Sequence, residues 1–260
     1  MRQRPKIQNN HENILHLKIQ TCNMKKTILL LSLLTFPLTL IYAQTADDII
    51  AKYINVMGGK DKLLSIKNLY MEGSLDMNGT PMNVKYWILN KHGVRYEYTV
   101  NGTSSYYIFT NDSGWMFSPM MGQKHAEPIT SSLLRASKPE LDPEGLLLNY
   151  KTKGYSVEFK GKEDVNGIPA FKVIEKLNDS LSNTYYFDTA SYYILRVTTK
   201  AIADGKPLDM SRDLSNYQKT ADGYTFPMAM GAGILMGGQI KFTTVKVNTD
   251  MDPNLFMPKR

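Results

Sequence analysis

Among the residues of this 260-residue sequence that could do chemistry, the glycines of MAMGAGILMGG (228–238) come first, with Gly231, Gly233 and Gly237 in G-x-G-x-x-x-G order. Glycines so spaced cradle a pyrophosphate when a strand precedes them and a helix opens on them within a β-α-β unit. The strand is present, YTFPMAM (224–230), but the next segment, QIKFTTVKV (239–247), is another strand pattern. The phosphate reading therefore fails, and an apolar hairpin with room for close backbone approach remains. Beyond residue 43 there are two histidines, His92 and His125, and no cysteine. A structural zinc site takes four Cys or His ligands and a catalytic one usually three protein ligands, so neither assembles from these types. No G-x-S-x-G elbow is present, and Asp112-Ser113-Gly114 reads as a plain turn. The adjacent carboxylates Asp47-Asp48 and Glu163-Asp164 fit a helix cap and a turn, and adjacency alone makes no acid/base pair. The expectation is a protein that is not an enzyme and holds no metal or cofactor.

The elements that would position any site begin after a removable leader. Residues 1–23 carry no periodicity and are set aside as an upstream leader outside the mature protein. Residues 24–43 read as a signal peptide: Lys25 and Lys26 precede an apolar stretch over 27–41, interrupted by Pro37, and Ala43 ends a cleavage site. That stretch is short against the ~20 residues of a membrane span. Residues 1–43 hold six basic residues against Glu12 alone, five of the seven net positive charges. The basicity that would suggest a nucleic-acid partner lies mostly in the leader, and that reading is dropped. Cys22, the single cysteine, also lies there. Export without disulfides or a lipidatable cysteine points to the periplasm and to one domain over 44–260, large enough to bury its own core.

That domain opens with a helix. Thr45 is placed as N-cap, Asp47 and Asp48 in the first turn, and Ala46, Ile49, Ile50, Tyr53, Ile54 and Met57 form one apolar stripe ended by Gly58-Gly59. From Asn68 the period becomes two. Turn pairs recur at Asn78-Gly79, Asn101-Gly102, Asn166-Gly167, Asp204-Gly205 and Asp222-Gly223, between runs rich in Tyr, Val, Ile and Phe. This is an antiparallel meander, interrupted only at 129–145, which reads as a helical flap with a short helix at 131–136 stopped before Pro139. Thirteen of the 15 methionines lie beyond the leader, which suits either gap-filling in a β core or a surface for varied apolar partners.

The order of signal peptide, short amphipathic helix, meander, WILNKHGVRY (87–96), NDSGWMFSP (111–119) and flap resembles the LolA-like carriers of outer-membrane lipoproteins. TADDIIAKYINVMGGKDKLLSIKNLYMEG (45–73), YYFDTASYYI, LSNYQKTADGYTFP and VNTDMDPNLFMPK resemble the Bacteroidetes-type outer membrane lipoprotein-sorting branch, and the resemblance covers 45–259. It implies a mainly β (α+β) fold, an incomplete antiparallel β-barrel whose concave face is covered by helices. It also implies a monomeric carrier of acylated lipoprotein or a related lipid, loaded by an inner-membrane ABC transporter and received by an outer-membrane acceptor. The alternating faces then nominate Leu75, Met77, Tyr86, Ile88, Tyr96, Tyr98, Trp115, Phe117, Tyr224, Phe226, Met228 and Met230 as cavity lining. Leu133 and Leu134 would be the flap's apolar contribution, and Ile234, Leu235 and Met236 a greasy rim. Carriers of this family latch the lid with an arginine before a proline in the turn after the first tryptophan-bearing strand. The stretch here is Asn90-Lys91-His92-Gly93, without proline, so Lys91 and Arg95 are the basic latch candidates. The departure leaves the cargo open between lipoprotein and another apolar ligand. The rival expectation is an envelope interaction or structural module whose core is sealed.

Overall fold

The computed structural model describes residues 44–77, 79–203, 205–232 and 238–258, apart from the side chains of Met77 and Ala203. The leader, the signal-peptide segment and the rim residues Ile234, Leu235 and Met236 lie outside the described residues.

Helix α1 (Ala46–Val56) forms as its sequence dictates. The Thr45 side chain accepts from the Asp48 amide and the Asp48 carboxylate accepts from the Thr45 amide at 3.2 Å, a reciprocal cap, and Ile49 and Ile50 are buried. A short helix, α2 (Lys60–Leu64), follows and plants Leu63 in the core. The chain then runs through strands β1 (Asn68–Met77), β2 (Thr80–Leu89), β3 (Gly93–Val100), β4 (Thr103–Thr110), β5 (Gly114–Phe117) and the two-residue β6 (Glu127–Pro128). Helix α3 (Ser131–Ser137), N-capped by Thr130, leads into a 3-10 turn (Lys138–Leu141). Strands β7 (Ser156–Val165), β8 (Ile168–Asn178), β9 (Leu181–Asp188), β10 (Ile194–Ala203), β11 (Lys206–Lys219), β12 (Thr225–Gly231) and β13 (Gln239–Val247) complete the sheet, and a 3-10 turn (Pro253–Phe256) closes the chain.

Among the described residues these 13 strands make one antiparallel sheet in the order β6-β5-β4-β3-β2-β1-β13-β12-β11-β10-β9-β8-β7. Every hairpin neighbour in sequence is a neighbour in space, β13 returns to β1, and β6 and β7 stand at opposite edges. The sheet is therefore unclosed, an open half-barrel. Asn101-Gly102 and Asn166-Gly167 both adopt positive φ, the geometry whose twist suits two-residue hairpins. Strand β1 bends at a bulge between Glu72 and Gly73, where a Cβ on Gly73 would sit 2.2 Å from the Lys241 carbonyl oxygen; only glycine permits that approach.

The core lies on the concave face in two main clusters. One joins Met57, Leu63 and Ile66 to Met71, Leu75, Val84, Tyr86, Phe226, Ile240 and Phe242. The other seats α1 through Ile49 and Ile50 on Phe171, Val173, Phe187 and Ile194 of the far half. A third packing layer lies on the convex face, where Phe256, 1 % exposed, covers Tyr106 and Ile108. Gly93 makes room for it: a Cβ there would lie 2.5 Å from the Phe256 ring. Among the described residues no helix is long and apolar enough to cross a membrane.

Candidate functional site

Between the far half of the concave face and the flap lies a cavity of about 360 Å³. Its floor follows from strand alternation. Leu181, Asn183 and Tyr185 of β9, Val197, Thr199 and Ala201 of β10, and Leu208, Met210, Arg212 and Leu214 of β11 all point inward, and the register Val197↔Arg212, Thr199↔Met210, Ala201↔Leu208 sets them in rows. Met230 of β12 and Ile88 and Tyr96 of β2 and β3 extend the wall. The roof is Leu133, Ala136 and Ser137 of α3 together with Pro139, Glu140, Asp142, Pro143, Gly145 and Leu146.

The roof is held at three places. Leu141 is buried against Val94 and Phe109, and its carbonyl accepts from the Lys91 amide at 3.0 Å. The Tyr96 hydroxyl donates to the Glu140 carboxylate. Burial, then the Glu140 charge and this bond, push the Tyr96 hydroxyl well above its ordinary range. At the far end Lys153 Nζ reaches Asp142 Oδ2 at 2.8 Å, Glu144 Oε1 at 3.6 Å and the Gly145 carbonyl at 3.0 Å.

Two polar features interrupt the apolar walls. Fully buried Glu175 accepts from the Tyr185 hydroxyl at 2.8 Å and the Asn183 amide at 3.2 Å, and Thr199 donates to Asn183 at 2.7 Å. Its other oxygen, Oε1, has no partner among the described residues, and burial pushes its carboxyl above the usual range against those two hydrogen bonds. The second feature is Arg212. Burial presses its guanidinium down, but the Glu140 charge and the hydroxyls of Tyr96, Tyr86 and Tyr98 outweigh that and raise it.

Of the residues nominated from sequence, Ile88, Tyr96, Leu133 and Met230 line this cavity. Tyr86 and Tyr98 stand beside it, Tyr86 packing edge-on to Tyr96 at 4.5 Å and meeting the Tyr98 hydroxyl at 3.3 Å. Leu75, Tyr224, Phe226 and Met228 instead belong to the near core cluster beneath Met57 and Leu63. Leu134 is half-buried on the flap outside the cavity wall, and Met77 lies on β1 with its side chain outside the described set.

Four of the nominated residues lie elsewhere. Trp115 and Phe117 pair with Ile108 and Tyr106, and that parity faces the convex side, where both pack around Phe256. Arg95 is 3 % exposed on that same side, bonded through Nη2 to Glu97 at 2.6 Å and through Nη1 to the Leu255 carbonyl at 3.3 Å, with its guanidinium 4.2 Å from the Tyr106 ring centre. It clamps the C-terminal turn, not the flap. The Lys91 side chain is exposed, and only its backbone holds the flap. The cavity's far wall, β9 to β11, was not nominated. Its signal was the inward row Leu208, Met210, Arg212, Leu214, apolar except for one cation.

An open antiparallel half-barrel with a roofed, mainly apolar cavity is the class these features define. No family model matches the chain, and no curated protein matches it in sequence. Among solved structures it is similar to a putative outer membrane lipoprotein-sorting protein domain from Vibrio parahaemolyticus, at 17% identity over 81% of this chain and 95% of that one, TM-score 0.46. It is also similar to a LolA superfamily protein from Nitrosomonas europaea, at 10% identity over 83% and 98%, TM-score 0.49. A DUF1329 family protein from Desulfovibrio piger is a further neighbour, at 14% identity over 81% and 96%, TM-score 0.49.

Proposed function

We propose that this protein is a periplasmic carrier that takes the acyl chains of lipoproteins, or of a related lipid, into the cavity beneath its flap and moves them across an aqueous compartment. The observation that carries the reading is the cavity itself, whose walls are chiefly Leu, Val, Ala and Met side chains. Each methylene buried there contributes about 0.8 kcal/mol, so a cavity of this kind holds a chain that water rejects. Its volume lies within the ~300–1,000 Å³ of ligand pockets. The roof is a short helix and turns held by three local anchors, which suits reversible opening. The role is binding without catalysis: Glu140 is engaged by Tyr96, and Glu175 by Tyr185 and Asn183, as parts of the wall. As a carrier it acts as a monomer, with an inner-membrane ABC transporter and an outer-membrane acceptor as its loading and receiving partners. Native mass spectrometry of the protein isolated from periplasm is expected to show bound lipid or acylated protein. Leu133→Glu, which puts a charge on the cavity roof, is expected to abolish it while the protein stays folded. Recovery of no lipid, or unchanged lipid in Leu133→Glu, refutes the reading.

A further inference from the structure

Arg212 sets this cavity apart from a plain apolar container. It occupies an inward position of β11 between Met210 and Leu214, on the cavity floor. A guanidinium carries five N–H donors in a planar fork, has no acceptor and keeps its charge at any working pH. Half-buried on a mainly apolar floor, such a group keeps part of its desolvation cost unless it is paired. Yet among the described residues the Arg212 guanidinium makes no ion pair and no hydrogen bond. The carboxylate whose field reaches it, Glu140, belongs to the roof and is engaged by Tyr96. The other cavity-facing polar groups near the floor, Asn183 and Thr199, are bonded to each other and to Glu175. The molecule contrasts with itself here: Arg196, one strand over and on the outer side, is fully matched by Asp213 at 2.5 and 2.9 Å, and Arg95 by Glu97.

From Arg212 the β11 face continues apolar along Met210 and Leu208; Thr199 lies opposite Met210, and Ala201, with Leu181 beyond it, lies opposite Leu208. Four residues of strand give this run roughly 13 Å at ~3.3 Å per residue. We propose that the cavity takes an acyl-chain amphiphile with an anionic head, a carboxylate or a phosphate, the head bound by the Arg212 fork and the chain laid along β10 and β11. Such an anion supplies the planar or tetrahedral oxygens that arginine binds bidentately. Acyl chains joined to a protein by ester or amide linkage carry no such charge at the linkage, so the preference divides the cargo left open by the sequence in favour of a free anionic lipid. The inference rests on the carrier reading and is tested separately from it.

The test is calorimetric titration of the delipidated protein with hexadecanoate, with hexadecanol and with inorganic phosphate, each at pH 7.5 and below micelle formation. Hexadecanoate is expected to bind at least about tenfold more tightly than hexadecanol, the advantage of a charge-assisted bond. That preference is expected to vanish in Arg212→Gln and to survive in Arg212→Lys, while Arg212→Gln melts no lower than the wild type because it removes an unpaired charge. Equal binding of acid and alcohol overturns the head-group assignment and leaves the carrier reading standing. Binding of neither lipid overturns both. Phosphate binding as tightly as hexadecanoate reduces the site to an anion site and overturns the amphiphile. A preference that persists in Arg212→Gln assigns the head to another group and likewise overturns it.

Discussion

Leu141 is the apolar bolt of the flap, and its truncation gives a measurable consequence. The side chain is 4 % exposed and packs on Val94 and Phe109 of the sheet, while the carbonyl takes the Lys91 amide. Leu141→Ala keeps the backbone bond and removes the plug. Such truncations cost about 2–5 kcal/mol, from lost transfer energy and the void left behind. If the flap opens as a unit of its own, that cost falls on the opening equilibrium, and 2 kcal/mol is about 30-fold. Hydrogen exchange read by mass spectrometry is the assay. The amide of Leu134, bonded to the Thr130 carbonyl at 3.0 Å, is expected to exchange at least ~30-fold faster, while those of Val173 and Tyr185 in the far half of the sheet are unchanged. The volume-conserving Leu141→Met is expected to change little. Equal acceleration in sheet and flap would show that the two open together, and no acceleration would show that Leu141 does not hold the roof; either refutes the argument.

Glu175 gives a pH signature: its folded-state pKa is raised above the ordinary 4.5 by burial, so its contribution to stability is complete below about 4.5 and is lost as pH rises through the folded value. Denaturant titrations of wild type and Glu175→Gln are expected to show the variant gaining on the wild type from pH 4 to pH 8, and a gap that shrinks with pH contradicts this. Trp115→Ala is expected to lower stability by about 1–3 kcal/mol, measured by urea unfolding, and to leave hexadecanoate binding untouched, because Trp115 packs on the convex face. Loss of binding at unchanged stability would put it back in the cavity. Gly93→Ala drives a methyl into Phe256 and is expected to cost about 1–3 kcal/mol and to alter the fluorescence of Trp87 and Trp115, which pack in the same cluster. A variant as stable as wild type would mean the C-terminal turn is not seated there.

The turn chemistry made most of the fold legible. Asn-Gly pairs and period-two runs locate nearly every strand, and the Thr45 cap locates α1. Strand β11 is the least legible of them, because Pro207, Asp209, Ser211, Asp213 and Asn216 are poor strand formers and its inward row is broken by Arg212. The residue that most characterises the cavity thus obscures the strand that carries it. Trp115 and Phe117 face the convex side for a reason the strands themselves do not show. Alternation separates the two faces of a strand but shows which is inward only when one of them is polar. In β4 both parities are apolar, Tyr106 and Ile108 on one side and Tyr107 and Phe109 on the other, because the C-terminal turn covers the convex side. A cover arriving from about 150 residues downstream leaves no local mark on the strand it protects.

The placement of β6 and β7 at opposite edges has a mechanical consequence. The segment between them, residues 129–155, starts at one lip of the curved sheet and finishes at the other, so the sheet is a bow and this segment its string. A string tied at both ends does not swing aside like a door. It admits a guest by slackening at its middle or by letting the bow flex. Any guest that forces the two lips apart therefore pulls the string taut, and cargo size is transmitted into tension on the Tyr96–Glu140 bond, which ties the middle of the string to the sheet.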